Sequence, residues 1–147
     1  TASLFEASCR LGALFGDRPA LAGRLGRFGE QIGLAFQLLD DVLDVSGPAE
    51  RTGKPRGADL LDGTVTLPLI LARRVDPSLD RLDRRLSPAA AEEICDRIVA
   101  TGGLAQARAQ ALGHVAEAKK EVEQLELPAE RRRALELVAD GVVERYA

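Results

Sequence analysis

Apolar residues recur at helical spacing through nearly all of this sequence, and that period constrains the fold more than any other feature. Turn signals cut the pattern into segments. They are Gly16-Asp17-Arg18-Pro19, the stretch from Ser46 to Gly63, Asp76-Pro77, Ser87-Pro88, Gly102-Gly103 and Leu127-Pro128. Helices are expected from Thr1 to Phe15, from about Pro19 to Val45, and from Thr66 to about Val75. Others are expected from Ser87 to Gly102, from about Leu104 to Leu125, and from Pro128 to near Tyr146. Asp76 and Ser87 each precede a proline, the pattern of an N-cap followed by proline at the first helical position. No run reads as a strand, a repeat or a low-complexity tract. The expected fold is all-α.

Composition narrows that fold further. Hydrophobic residues make up 46% of the chain but aromatics only 3%, so a core must be assembled from Leu, Ala, Val and Ile. A length of 147 residues suits one helical domain spanning 1–147. The net charge of -3, with no basic domain, argues against a nucleic-acid partner. Cys9 and Cys95 are too few and too far apart for a disulfide framework or a zinc site. They read as reduced core residues of a cytoplasmic protein. No apolar run has the length of a membrane span. The chain contains no methionine and opens inside a helical pattern. A fragment of a longer chain accounts for both facts, and a processed N-terminus is the alternative.

The helix ending near Val45 carries the chemistry. It contains Phe36-Gln37-Leu38-Leu39-Asp40-Asp41-Val42-Leu43-Asp44, three carboxylates in an otherwise apolar helix. Asp40 and Asp44 are one turn apart, Asp41 and Asp44 three residues apart, and Gln37 one turn earlier, so all four project to one side. Like charges at that spacing repel, and a hard divalent cation that prefers carboxylate oxygen would compensate them. A solvated acidic face is the plain alternative. In the same helix Gly26, Gly29 and Gly33 make one bare face, open to a packed helix or to a ligand chain. The following irregular stretch holds Lys54 behind a glycine, in a protein whose basic residues are mostly arginine. A lysine there could neutralise a diphosphate beside a metal ion, or simply be solvated. Arg51, Arg56 and Asp59 rank behind it. Asp96, in a helical segment without the motif, is the neutral comparison for Asp40.

Taken together, these blocks resemble a known family. The run F-Q-x-x-D-D-x-x-D, followed by G-K-x-x-G-x-D-x-x-x-G-x-x-T-L-P, is similar to the second half of trans-type polyprenyl diphosphate synthases. Here it is met by Phe36 to Asp44, Gly53-Lys54, Gly57, Asp59, Gly63 and Thr66-Leu67-Pro68. The opening Thr1-Ala-Ser-Leu-Phe resembles that family's K-T-a-x-L helix. The resemblance is specific over about Thr1 to Ala72 and only general beyond.

The resemblance implies an isoprenoid-synthase-like helical bundle, of which this chain is the C-terminal half, and a homodimer of the whole enzyme. It implies magnesium ions held by Asp40, with Asp41 and Asp44 assisting, and a diphosphate contacted by Lys54. Gln37 and Thr1 would line the site near the developing allylic cation, and Phe36 and Gln37 would contact substrate. The implied reaction condenses isopentenyl diphosphate with an allylic diphosphate. The family's first aspartate-rich motif is not among these residues, so this stretch alone is expected to be inactive. Thr64 stands where short-chain members often carry lysine, which bears on subtype. A non-catalytic subunit of such an enzyme and a plain helical interaction module remain the alternatives.

Overall fold

The computed structural model describes residues 1–47, 55–82 and 85–146. None of them lies in a strand. The helices are α1 (Ala2–Phe15), α2 (Ala22–Ser46), α3 (Ala58–Leu61), α4 (Leu67–Arg73), α5 (Pro88–Ala100), α6 (Gly103–Glu123) and α7 (Ala129–Glu144). Short 3-10 turns at Pro19–Leu21 and Pro77–Arg81 precede α2 and α5. The expected all-α class therefore holds.

The punctuation read from the sequence acts through visible caps. Ser87 accepts a hydrogen bond from the Ala90 N–H at 3.2 Å, and Asp76 accepts one from the Ser78 N–H at 3.1 Å. Both satisfy first-turn donors that the helix itself cannot. Gly102 takes a φ of 77° between α5 and α6, a conformation that favours glycine. Pro128 stands at the N-cap of α7 rather than inside it. The structure adds one element the period did not show. α3 lies inside the stretch read as irregular, and at four residues it is too short to display a repeat.

The chain forms two compact units. The first comprises Thr1–Gln37 with Gln110–Ala147, the second Leu38–Ala109, and α2 and α6 each contribute to both. In the first unit α1 lies against the glycine face of α2. A Cβ on Gly29 would stand 2.4 Å from the Phe5 carbonyl oxygen, and one on Gly33 2.6 Å from the Ala2 Cα. The bare face is thus filled by a neighbouring helix. Phe28, Ile32 and Ala35 of α2 and Val115, Ala118 and Val122 of α6 are buried in this unit. Arg27 pairs with Glu121 at 3.0 Å, and His114 Nδ1 meets Gln31 Oε1 at 2.7 Å.

The core of the second unit gathers Val45, Leu60, Leu69, Ala72, Leu79, Ala91, Ile94, Cys95 and Ile98. Val42, Leu71 and Ala107 form a second cluster within it. Phe28, Tyr146 and Cys95 apart, the buried hydrophobic residues of these cores are aliphatic, as the scarcity of aromatics requires. Both cysteines are free, Cys95 buried and Cys9 half-buried. Burial pushes the Cys95 thiol up to about 11, so it stays protonated.

Candidate functional site

Within the first unit, the start of α1 meets the middle of α2. The Thr1 hydroxyl donates to Gln37 Oε1 at 2.9 Å, joining two residues 36 positions apart that the sequence marks as site candidates. Phe36, half-buried beside them, packs at a tilt against Phe5 with ring centroids 5.8 Å apart and meets Tyr146 edge-on at 5.9 Å. The Arg145 guanidinium lies 5.1 Å over the Phe36 ring and 5.5 Å from the Tyr146 ring. Sequence reasoning missed Arg145 and Tyr146, which reach Phe36 from the far end of the chain. The one usable signal was rarity: Tyr146 is the only tyrosine in a chain with four phenylalanines.

Within the second unit, Asp40 is exposed and Asp41 and Asp44 are half-buried on α2. Asp44 is committed to the backbone. Its Oδ1 accepts the Ala58 N–H at 3.1 Å and its Oδ2 the Asp59 N–H at 3.2 Å. Burial raises its pKa above the ordinary aspartate value. The two N–H donors oppose that shift, and the nearby charges of Asp59 and Asp40 add to it. The structure therefore brings Asp59 beside Asp44, a residue ranked behind Lys54 on sequence. Lys54, together with Arg51, lies outside the described residues. Among the described residues no group of three or more His, Cys, Asp and Glu side chains could by itself hold a metal ion.

Carboxylate oxygens suit magnesium, and that ion keeps waters and shares phosphate ligands instead of demanding an all-protein cage. Asp40 and Asp41 thus supply the right donor chemistry for part of a coordination shell, while both Asp44 oxygens already accept backbone hydrogen bonds. Arg56 reinforces the same turn. Its Nε donates to the Val45 carbonyl, and its Nη1 pairs with Asp96 at 2.6 Å. Asp96 is consequently tied to this region and is not the neutral comparison that its sequence context suggested.

Comparison with known proteins matches the sequence and the fold of this chain to one family. The family model for polyprenyl synthetase matches residues 1–101. A prenyl transferase of Synechocystis sp. is 36% identical over 141 residues, covering 94% of this chain and 44% of that protein. A short chain isoprenyl diphosphate synthase of Methanothermobacter thermautotrophicus is 40% identical over 155 residues, covering 99% of this chain and 46% of its own length. A solved polyprenyl synthase from Caulobacter crescentus, complexed with calcium and isoprenyl diphosphate, superposes with a TM-score of 0.86 at 35% identity. That match covers 100% of this chain and 47% of the other. The chain spans about half the length of these relatives. With the family model covering more than half its residues, this chain belongs to the polyprenyl synthetase family.

Proposed function

We propose that this segment supplies the second aspartate-rich half of a prenyltransferase active site, in a polypeptide that also carries the family's other half. The reaction is the condensation of isopentenyl diphosphate with an allylic diphosphate, in a cytoplasmic, homodimeric enzyme. The observation that carries this reading is the α2 segment itself. Gln37, held by Thr1, is followed one helical turn later by Asp40 and Asp41, within the family-matched stretch. No helix among the described residues is long and apolar enough to cross a membrane.

In this reading Asp40 is the principal magnesium ligand and Asp41 assists it. Magnesium held by these carboxylates would supply positive charge toward a departing diphosphate. The chain's own residues do the rest. The Asp40 and Asp41 carboxylates would fix where the metal, and through it the diphosphate, sits, and Lys54 would add an ammonium to the diphosphate. Positive charge placed in advance favours the ionised transition state over the ground state. The Thr1 hydroxyl fixes the Gln37 amide, so its dipole is set before an allylic cation forms. Phe36, packed by Phe5 and Tyr146 with the Arg145 guanidinium over its ring, would contact substrate beside Gln37.

Calorimetric titration of the 147-residue chain with inorganic diphosphate tests the half-site. Binding is expected only when magnesium is present, and Asp40→Ala should abolish it. The chain alone should form no product from isopentenyl and allylic diphosphates. Magnesium-independent binding, or prenyl transfer by the chain alone, overturns the reading.

A further inference from the structure

A second feature of α2 concerns Asp44, the third carboxylate of the motif. It occupies the last turn of its helix, where the macrodipole disfavours a negative charge and no basic side chain is present to offset it. Its placement is explained by α3 instead. The Ala58 and Asp59 N–H groups are first-turn donors with no partner inside a helix of four residues, and the two Asp44 oxygens take one each. The same turn also donates to the carbonyls that the end of α2 leaves unpaired. The Asp44 carbonyl accepts the Gly57 N–H at 2.9 Å, and the Val45 carbonyl accepts from Arg56 Nε. The end of one helix and the beginning of another thus satisfy each other's unpaired groups, with Asp44 contributing both its side chain and its carbonyl. Gly57 can make this approach because it takes a φ of 76° and packs against Cys95, leaving no room for a Cβ.

We propose that Asp44 is a positioning residue: its carboxylate anchors the Arg56–Asp59 turn on α2 and so sets where the Asp59 carboxylate stands, and it does not act as a third metal ligand. This rests on the magnesium–diphosphate reading of Asp40 only for its functional consequence. The anchoring itself stands on the hydrogen bonds. A charged acceptor shared by two N–H donors is a stronger tie than two neutral bonds. Asparagine keeps the shape and one carbonyl acceptor, whereas alanine keeps neither.

The test combines amide hydrogen exchange with calorimetric binding of inorganic diphosphate in magnesium. It uses the 147-residue chain and its Asp44→Ala, Asp44→Asn and Asp40→Asn variants. In Asp44→Ala the Ala58 and Asp59 amides should exchange about tenfold faster, with α4 and α5 unchanged, and diphosphate binding should weaken. Asp44→Asn should fall between wild type and alanine in both readouts. Should Asp44→Ala lose protection throughout α4 and α5, Asp44→Asn alone decides by the same two readouts. Unchanged Ala58 and Asp59 exchange in the deciding variant overturns the proposal. So does complete loss of binding in Asp44→Asn with protection intact, the signature of a ligand. Asp40→Asn should weaken binding while leaving exchange intact. Unaltered binding there would count against the metal reading of Asp40 alone, since exchange reports on Asp44 independently.

Discussion

Asp76 and Arg97 stand 21 residues apart and meet at 2.5 Å, in an arrangement of which only one part could be read from sequence. Asp76 before Pro77 was legible as a cap because the chemistry is local: an aspartate oxygen and an N–H two residues on. Arg97 was not legible, since nothing in the order of residues says that α5 returns to this turn. The Ser78 hydroxyl, then Arg97, hold the Asp76 carboxyl below its ordinary range, with burial opposing them. A carboxylate whose pKa is depressed by folding binds its proton more readily in the unfolded chain. Its contribution is therefore full above the ordinary aspartate range and is lost as pH falls through the folded value. Urea unfolding of wild type and Asp76→Asn across a pH series should show wild type ahead at neutral pH. The gap should close at the acid end, and a gap independent of pH would contradict this account.

At the scale of elements, the pairing of α1 with α2 has a signature in the sequence but not a partner. Glycines at 26, 29 and 33 announce a bare face, while the choice between helix and ligand is decided by the fold. Phe5 and Ala2 occupy that face, so a side chain at Gly29 would collide with backbone that cannot rotate away. Gly29→Ala should destabilise the protein by about 1–3 kcal/mol in urea unfolding, the usual scale of overpacking. Gly113 is the counterpart: it lies in α6, and a Cβ added there would meet nothing within 4 Å. Gly113→Ala should stabilise by up to about 1 kcal/mol through helix propensity alone. Equal effects of the two substitutions would mean that the close approach of α1 is not what fixes glycine at 29. α3 shows the opposite limit of legibility. Its N-terminal donors are satisfied by an aspartate 14 residues earlier, so no local cap marks where it begins.

For the whole molecule, the family was readable because its blocks are short, polar and fixed in spacing within α2 and the segments around it. The all-helical class was readable because the period runs nearly end to end. What remained hidden depends on long-range closure: Arg145 and Tyr146 on Phe36, Asp59 beside Asp44, and Asp96 paired through Arg56. That last pair changes the control for the central claim. Glu93, exposed on α5, replaces Asp96 as the neutral comparison. The most direct measurement is steady-state prenyl transfer by a polypeptide carrying this segment together with the family's other half, across a magnesium titration. Asp40→Ala should lower kcat and kcat/KM together by about 100- to 1000-fold, the scale of losing one preplaced electrostatic contact. Glu93→Ala should leave both near wild type. Equal activity of the two variants at every magnesium concentration would contradict the assignment of Asp40 as the metal-binding carboxylate.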